Sequence, residues 1–600
     1  MKAPLAIYVV YHTQYAEAHE IFSRIYKLFC RDIRNSLSDG LDIPVYFATE
    51  ENDYEVAFDR AERTFIIILS DTNLVADNSA LIVKIRGWLS VKESGQKVML
   101  SPVKLCKNAF DIAPAVMKEQ FIVLNSYDLL EKSWDEYQTR LYDSLIRFVQ
   151  DKSSKVQIFI SHSKKDKGKI GEVRAKELAH YLRTKTKLNT FFDVVDILDG
   201  NRFDVQIEKG VENALLMILY TNTYSDREWC RRELIAAKDH NVPTVVVMMM
   251  DGVAKRVFPY IGNVPSIEYQ QDWCKPINLL LKSALDEYHE QLLLDSLKEG
   301  KDNVQVTPFP PELYNLRAMS SVKSCVLYPE PPLGQEELTI LKQAHAGVNF
   351  VTPMEYASAG LDLHGKYIAI SISNAEDAYK LGMGKEMLDD VSIEISKHIL
   401  KAGGKMIYGG DLRERGFTEL FSDLSSQYGA YEKTDPDVMY FKNFIAWPYW
   451  TGMSKRIRDE YVHNRVELVR VEKEKDEQTS LTKMRTEMES NAYARIIVGG
   501  KMSNYSGSMP GVLEEFKIAI EACHPVYVVG GFGGAARYVA NVLSDVTEIE
   551  EQFAWMKGVN ITNLQNGLSE EENNRLFVST NAMEIVSLIL KGLNNTIHHA

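Results

Sequence analysis

The sequence contains no long apolar run and no excess of positive charge, and each absence excludes a class of protein. No stretch approaches the roughly 18 uninterrupted apolar residues of a membrane-spanning helix, so we expect no membrane association. The amino-terminal run MKAPLAIYVVYH lacks a secretory pattern and is interpreted as a first β-strand. The formal net charge of -14 argues against direct nucleic-acid binding, because phosphates are repelled by an acidic surface.

Cysteines are few, and they lack the paired spacing of a zinc site. The six are Cys30, Cys106, Cys230, Cys274, Cys325 and Cys523. This pattern predicts no metal centre and a reduced, cytoplasmic setting. The chain is long, and its 600 residues with 45% hydrophobic content can form three or four domains with full-sized cores.

Residues 153–290 alternate short apolar runs with polar turns and helical segments. The runs FISHS, LLMILY and TVVVM are unbroken in the manner of parallel strands that are buried on both faces. The segment SDREWCRREL follows the LLMILY run and places Glu233 behind Trp229 and Cys230 at the start of an amphipathic helix. A carboxylate in that setting is a candidate catalytic group.

Four features together resemble a TIR domain: the FISHS strand end, the loop after Asp193, WCRREL and the strand before Met250. The resemblance implies a flavodoxin-like parallel α/β fold. Some TIR domains only assemble, whereas others cleave NAD at the nicotinamide–ribose bond, and Glu233 matches the glutamate of the enzymes. A carboxylate there would stabilise the positive charge that develops on the ribose. The alternative is a solvated helix residue that forms an ion pair.

The resemblance also implies a nicotinamide and ribose pocket around Glu233. Its candidate lining residues are Phe159, Ser161, His162, Asp193, Phe203 and Trp229. Competing interpretations are core packing for Trp229, a cap of the loop for Asp193 and a surface turn residue for His162. Cys230 is expected to be a small buried residue and not a nucleophile. NAD would be the substrate, and no cofactor is expected.

The first 150 residues repeat the register of the next 150. IYVVYHTQYAEA parallels QIFISHSKKDKG, with His12 and His162 separated by 150 positions, and FIIILSDTNLVAD parallels LLMILYTNTYSD. Where the second copy has WCRREL, the first has SALIVKIRGWL, with no acidic residue at the helix start. Residues 1–150 are therefore predicted to be a degenerate TIR-like domain that acts as a scaffold.

Residues 291–364 are rich in proline, in NVQVTPFPPELYNL and VLYPEPPLGQEEL. Because Tyr, Leu and Val are interleaved with the prolines, we predict a linker that wraps along the protein surface.

Residues 365–600 contain three strands that each end in glycines, in MIYGGDLRERGFT, RIIVGGKMSNYSG and VYVVGGFGG. A glycine pair lets backbone amides approach a phosphate, and a helix start favours an anion. The ends of parallel strands cluster at one edge of a sheet, where such folds bind nucleotides. The alternative for each pair is a tight strand–helix turn without ligand. A charged helical insertion is predicted at about residues 450–491.

These glycine segments resemble the SLOG superfamily, Rossmann-like domains related to the LOG enzymes. LOG enzymes use a glutamate and an arginine with a PGGxGTxxE loop, whereas this chain has PGVLEEF, so binding is expected in place of hydrolysis, with Glu514 or Glu515 in the glutamate's position. The candidate nucleotide contacts are Ser371, Ser373, Gly409, Gly410, Asp411, Arg413, Thr418, Gly499, Gly500, Lys501, Pro510, Gly511, Glu514, Gly531, Phe532 and Gly533. A surface ion pair is the alternative for Arg413.

The two resemblances together imply an NAD glycohydrolase of the bacterial antiphage defence type. Its expected partners are NAD, a small activating nucleotide such as an ADP-ribose derivative, and further copies of the chain in an oligomer or filament. Three alternatives remain: a TIR enzyme that makes a cyclic or linear ADP-ribose messenger, a non-enzymatic TIR scaffold, and catalysis by the SLOG-like half.

Overall fold

The computed structural model describes residues 2–30, 40–112, 119–191, 214–250, 252, 257–317, 324–384, 386–410, 412, 416–432, 434–447 and 449–598. The chain divides into two compact units. One comprises residues 1–3, 26–61 and 354–600, and the other comprises residues 4–25 and 62–353. Every strand pairing described below is parallel, which confirms the predicted α/β class with parallel sheets.

The first 150 residues contain β1 (Ala6–Val10), α1 (Ala18–Phe29), β2 (Val45–Ala48), β3 (Arg63–Ser70), α2 (Thr72–Ala76), α3 (Asn78–Glu93), β4 (Lys97–Lys104), α4 (Leu129–Lys132) and α5 (Trp134–Val149). Strand β3 lies between β1 and β4, with Ala6 opposite Thr64 and Arg63 opposite Lys97. All eight residues of β3 are buried, as its unbroken apolar run requires.

The next region contains β5 (Gln157–His162), α6 (Ile170–Lys185), β6 (Asn189–Phe191), β7 (Leu215–Tyr220), α7 (Glu228–Asp239), β8 (Thr244–Met248), β9 (Ser266–Glu268) and α8 (Cys274–Lys298). Its five strands form one parallel sheet in the order β6-β5-β7-β8-β9. The pairings β5–β7 and β7–β8 have the same chain order as β1–β3 and β3–β4, so the two halves of the proposed repeat agree in topology over these strands.

Residues 304–357 differ from the predicted wrapping linker. They contain β10 (Val304–Val306), α9 (Leu313–Leu316), β11 (Cys325–Leu327), α10 (Gln335–Ala344), β12 (Asn349–Val351) and α11 (Pro353–Ala357). The three strands form a parallel sheet of their own, in the order β10-β11-β12. Val326, Tyr328, Leu338, Leu341 and Phe350 form a small core. The apolar residues between the prolines therefore pack against one another and do not only wrap along a neighbour.

The carboxyl-terminal region contains β13 (Tyr367–Ser373), α12 (Glu386–Lys401), β14 (Lys405–Gly409), α13 (Phe417–Tyr431), β15 (Phe441–Ile445), α14 (Tyr449–Gly452), α15 (Lys455–His463), β16 (Val466–Arg470), α16 (Glu477–Ser490), β17 (Ala494–Gly499), α17 (Gly511–Glu521), β18 (Val526–Val529), α18 (Gly534–Leu543), α19 (Glu570–Val578) and α20 (Ala582–His598). Its six strands form a parallel sheet in the order β16-β15-β14-β13-β17-β18. This arrangement is Rossmann-like, as predicted.

The predicted helical insertion at about residues 450–491 is instead a part of this sheet. Val466 to Arg470 form the edge strand β16, which pairs with β15. Helix α16 packs Leu481, Met484 and Met488 into the core beneath the sheet. Charged residues on the outer face of α16 concealed this apolar stripe in the sequence, so the segment resembled a solvated helix.

No helix within the described residues is long and apolar enough to cross a membrane. The longest helix of the second region, α8, instead has a buried face that includes a histidine. His289 is 2% exposed, and neither ring nitrogen has a hydrogen-bond partner among the described residues. Burial lowers the pKa of His289 to about 4, so its ring is neutral in the folded protein at neutral pH.

We expect His289 to make the fold less stable as pH falls from about 6.5 toward 4. The unfolded imidazole takes up a proton near its ordinary pKa of about 6.5, whereas the folded one remains neutral until about 4. The unfolded state then binds more protons, so stability decreases with falling pH by up to about 1.4 kcal/mol per pH unit. His289→Leu should remove this component in urea unfolding at pH 7 and pH 5. The matched change of exposed His180 to Leu should not, and equal pH dependence in His289→Leu and wild type would contradict the assignment.

Candidate functional site

The first candidate site lies at the carboxyl ends of β5 and β7. Strand β6 pairs with one edge of β5, and β7, which comes later in the chain, pairs with the other edge. Such a reversal opens a crevice between the two strand ends, where doubly wound sheets bind ligands. Helix α7 follows β7 after a short turn and brings Glu233 to the end of β5.

Glu233 is buried, at 5% exposure, and is held by hydroxyl groups. The Ser161 hydroxyl on β5 donates to Oε2 of Glu233 at 2.5 Å, and the Tyr224 hydroxyl lies 2.6 Å from Ser161 Oγ. Burial, with the nearby Cys230 and Glu233, raises the pKa of Tyr224 well above its usual range, so the phenol keeps its proton. Since Ser161 gives its hydrogen to Glu233, Tyr224 donates to Ser161. The result is a fixed carboxylate at the end of a chain of hydroxyl donors.

Asp166 ties together the loops that frame this crevice. It accepts hydrogen bonds from the Thr221 hydroxyl at 2.8 Å, from the Thr223 hydroxyl and from the Gly171 amide at 3.1 Å. A Cβ at Gly171 would lie 2.6 Å from the Asp166 carboxylate, so only glycine permits this approach. The turn after β5 is thereby locked to the turn after β7. The roles of Asp166 and Tyr224 could not be predicted from the sequence, because their partners Thr221, Thr223 and Ser161 come from the end of another strand.

Among the other predicted pocket residues, Ser161 and His162 lie at the end of β5 near Glu233. The carbonyl of His162 accepts the Cys230 thiol at 3.5 Å, and burial raises the pKa of that thiol, which suits a buried structural cysteine. Phe159 is 1% exposed and packs in the core with Ile218 and Leu234. Phe159 lies on the same face of β5 as Ser161, two residues before it, but is covered by the core, so its contact with substrate stays a prediction.

Trp229 is also placed differently from expectation. Core packing was the competing interpretation, but the side chain is 44% exposed on α7, with the Arg232 guanidinium over its ring at 4.9 Å from the centroid. Its position in the first turn of α7 leaves the side chain outside the core. The predicted contacts Asp193 and Phe203 lie outside the described residues.

The second candidate site lies at the carboxyl ends of the neighbouring strands β13 and β17, the equivalent crevice of the six-stranded sheet. Three loops meet there. The Gly500 amide donates to the Ser373 carbonyl at 2.8 Å, and the Ala535 amide donates to the Gly500 carbonyl at 3.0 Å. The Ser503 hydroxyl contacts both carboxylate oxygens of Glu376, at 2.7 and 2.6 Å. The loops after β13, β17 and β18 are therefore one connected surface.

Asp377 occupies the start of helix α18 in this crevice. Its Oδ1 accepts the Gly534 amide at 2.7 Å, and a Cβ at Gly533 would meet the same oxygen at 2.5 Å. Gly534 has φ +64, and a Cβ there would lie 2.0 Å from the Gly500 carbonyl oxygen, so glycine is required. A carboxylate thus sits at the anion-favouring end of a helix, the position predicted for a phosphate.

Several predicted nucleotide contacts instead pack against other parts of the protein. A Cβ at Gly531 would lie 2.1 Å from the Ser579 carbonyl oxygen, so this glycine serves packing. Phe532 is also buried, and Gly409 packs against Met488. Thr418 is buried and accepts a hydrogen bond from Asn443 at 3.3 Å. These residues therefore contact other parts of the protein in this structure, and their contact with a ligand stays a prediction.

Ser371 and Glu514 also belong to the protein interior, in a network of buried ions. Glu514 accepts from Thr482 at 2.5 Å and pairs with Arg485, and Gly511 lies against the same arginine. Ser371 donates to Glu515 at 2.5 Å and accepts from Arg495 at 2.5 Å. The roles of Arg485 and Arg495 could not be predicted from the sequence, because their carboxylate partners come from other strands and helices.

The remaining predicted contacts stay at the crevice edge. Gly499, Gly500 and Gly410 end their strands with positive φ, Pro510 precedes helix α17, and Lys501 is exposed in the loop after β17. The predicted contacts Asp411 and Arg413 lie outside the described residues. Gly499, Gly500 and Pro510 are buried, whereas Gly410 is partly exposed and Lys501 is exposed at this edge.

Comparison with known families agrees with this division of the chain. Residues 158–281 match the TIR domain model. Residues 362–479 and 470–556 match the model of SLOG cluster2. Neither match includes residues 1–150, whose TIR-like character stays a prediction. No curated protein matches the chain significantly. Together, the two domains indicate a TIR-based defence or signalling effector.

Proposed function

We propose that this fusion of a TIR domain with a SLOG domain is an NAD glycohydrolase, switched on when a small nucleotide binds the SLOG domain. The observation that carries the proposal is the buried carboxylate of Glu233, held by Ser161 and Tyr224 at the crevice between β5 and β7. TIR domains include both NAD-cleaving enzymes and non-enzymatic assemblies, and a fixed carboxylate in the crevice favours the first.

The chemistry follows from the charge that develops during cleavage. When the bond between nicotinamide and ribose breaks, the ring nitrogen takes the electron pair and leaves neutral, and the ribose becomes an oxocarbenium-like cation. A carboxylate that is already oriented stabilises this cation without reorganising. Water then adds to the anomeric carbon and loses a proton, which gives ADP-ribose. The Ser161 and Tyr224 hydroxyls keep Glu233 in one rotamer throughout.

Regulation would begin at the SLOG crevice, because a phosphate and Asp377 compete for the same backbone amides. The loop of residues 374–384 that carries Asp377 also contacts residues 45–60 of the same compact unit. The Phe47 amide donates to the Gly382 carbonyl at 2.9 Å, the Arg60 guanidinium donates to the Leu381 carbonyl at 3.2 Å, and the Phe47 and Tyr379 rings lie 4.8 Å apart. Displacement of Asp377 would therefore move a loop that is hydrogen-bonded to residues 45–60.

A ligand can shift such an equilibrium only through its different affinity for the resting and active forms. We propose that the active form is an oligomer, and that ligand binding at the crevice favours its assembly. Mass photometry with and without ligand tests this part directly, since a monomer that cleaves NAD at full rate without ligand would contradict it.

Replacing Asp377 with asparagine should strengthen binding of a phosphate-bearing nucleotide about fivefold. A unit charge about 4 Å from a phosphate is unfavourable by about 1 kcal/mol even at the dielectric of water, and the substitution removes that charge while keeping the shape. Isothermal titration of the full chain with ADP-ribose and with AMP measures the change.

Glu521 supplies a matched control for that measurement. It is an exposed carboxylate at the far end of helix α17, paired with Lys517. Glu521→Gln should leave ligand affinity unchanged. Equal or weaker binding by Asp377→Asn would show that no anion enters the position of the Asp377 carboxylate.

The activity itself is tested by incubating the purified chain with NAD and measuring NAD loss and nicotinamide release. A panel of ADP-ribose derivatives and cyclic nucleotides is added in parallel. Ligand-dependent nicotinamide release supports the proposal. The second product distinguishes the two enzymatic alternatives, because hydrolysis gives ADP-ribose whereas cyclisation gives a cyclic ADP-ribose. Nicotinamide release that requires Glu514 and Glu515 but not Glu233 would move catalysis to the SLOG domain, and no release with any ligand would favour a scaffold.

A further inference from the structure

A cavity that shares no lining residue with either crevice lies within the unit of residues 4–25 and 62–353. It has a volume of about 200 Å³. Its walls come from strand β4 and the segment 119–122 on one side, from helix α5 on another, and from Lys187 and Leu188, which precede strand β6. It thus joins the amino-terminal region to the TIR domain, and neither the TIR crevice nor the SLOG crevice contributes to it.

The lining of this cavity is strongly basic, in contrast with the acidic chain as a whole. Five cationic side chains face two carboxylates. The cations are Lys92, Arg140, Arg147, Lys152 and Lys187, and the carboxylates are Glu119 and Asp143. Because the net charge of the chain is -14, a concentration of positive charge in one cavity needs an explanation other than composition.

Both carboxylates are already engaged. Glu119 pairs with Lys92 at 2.8 Å, and Asp143 lies 3.6 Å from Arg147 and accepts the Val156 amide at 3.4 Å. The ammonium groups of Lys152 and Lys187 have no acceptor among the described residues. Neither lysine forms an ion pair among the described residues, although the nearby Asp143 partly offsets the charge of Lys187.

The arginines also retain unused donors. The Nε–H groups of Arg140 and Arg147 are buried and have no acceptor among the described residues. Desolvation and the nearby positive charges of Arg140, Lys155 and Arg147 lower the pKa of Lys187. A buried donor without an acceptor is unfavourable, and an arginine pairs well with a phosphate. The cavity therefore has more cationic donors than carboxylate acceptors.

The lining also includes apolar side chains, which are Met99, Leu100, Phe121, Ile122 and Leu188. Cationic and apolar side chains in one cavity suit a ligand with an anionic end and a carbon skeleton, and the volume suits one phosphate and a sugar ring better than a dinucleotide.

We propose that this cavity binds a small organic phosphate, of the size of a pentose phosphate, with its phosphate on Lys152, Lys187 and the two arginines. The bound molecule would link the amino-terminal region to the TIR domain and stabilise their contact. The site is separate from the proposed nucleotide site on the SLOG domain, and its existence does not depend on NAD cleavage.

Isothermal titration of the full chain with ribose 5-phosphate, inorganic pyrophosphate and ribose tests this inference. We expect saturable binding of ribose 5-phosphate, weaker binding of pyrophosphate because it lacks the carbon skeleton, and none of ribose because it lacks the phosphate. In the double variant Lys152→Gln/Lys187→Gln, affinity for ribose 5-phosphate should fall at least about tenfold, since two unpaired charges are removed. Higher salt should weaken the wild-type interaction.

Lys176 provides the matched control, as an exposed lysine of helix α6 that pairs with Glu172 and lies outside the cavity. Lys176→Gln should bind ribose 5-phosphate like wild type. Both lysines of the double variant are solvent-accessible, so its melting temperature without ligand should match that of wild type. No saturable binding of ribose 5-phosphate by wild type, or equal affinity in the double variant, would overturn the proposal.

Discussion

The Glu233→Gln variant is expected to lose NAD cleavage by at least about 10²–10³-fold, the usual effect of removing one preorganised electrostatic group from a transition state. The substitution keeps the size of the side chain and its ability to accept from Ser161, which lies at 2.5 Å, but removes the negative charge. The loss should appear as nicotinamide released per unit time at saturating NAD. Binding of NAD should change far less, because the ribose is uncharged before the bond breaks.

Glu228 is the matched control on the same helix. Its side chain is 66% exposed and pairs with Arg232 one turn further along α7. Glu228→Gln removes the same charge from the same element without altering the crevice, so activity should stay within about twofold of wild type if fixed surface pairs contribute little. Equal losses in the two variants would point to the helix as a whole, and full activity in Glu233→Gln would assign cleavage to another group or none.

Replacing Arg495 with methionine should destabilise the SLOG domain by about 3–5 kcal/mol, the effect of breaking a buried ion pair from one side. Arg495 is fully buried on β17. Its guanidinium contacts Glu489 at 2.5 Å and Glu515 at 2.7 Å, as well as the Ser371 hydroxyl. Without the arginine, Glu489 is left with His524 at 2.8 Å and Glu515 with Arg485 at 3.7 Å in a low-dielectric interior, so both carboxylates lose their best-placed partner. Hydrogen exchange of the β17 amides, read alongside urea unfolding, locates the effect in this sheet.

Two further variants separate charge from packing. Arg470 lies at the end of the edge strand β16, half exposed near Glu472, so Arg470→Met should change stability by less than about 0.5 kcal/mol. Adding Glu489→Leu and Glu515→Leu to Arg495→Met removes the carboxylates that have lost this partner and should restore part of the lost stability. A single Arg495→Met variant as stable as wild type would contradict the importance of this buried ion pair.

The two crevices differ in how far the sequence predicted them. For the TIR crevice, the resemblance of the FISHS strand end to a TIR domain implied Ser161 and His162, and that of WCRREL implied Glu233. Tyr224 was missed, since nothing in SDREWCRREL or TNTYSD shows that its hydroxyl reaches Ser161, 63 residues away. Phe159 shares its strand face with Ser161, and only the packing of α7 and the neighbouring strands shows that its side chain is covered.

The SLOG crevice was predicted less completely. The glycine turns were found, but their roles split: Gly534 permits a close approach of backbone and Asp377, whereas Gly531 only accommodates a neighbouring segment. Asp377 lies 157 residues from Gly534, and Arg495 lies 124 residues from Ser371. Sequence spacing carries no information on pairs that distant, since any carboxylate could satisfy the amide.

The sequence alone determined the class of fold, the parallel sheets, the glycine-ended strands and the position of Glu233 behind Trp229, because hydrophobic periodicity and residue type act over neighbouring positions. Only the tertiary structure decided which groups meet: Ser161 with Glu233, Asp377 with the start of α18, Arg495 with Glu489 and Glu515, and the cations that line the 200 Å³ cavity. The physical reason is that buried hydrogen bonds and ion pairs form between elements that packing brings together, and their geometry depends on the whole sheet.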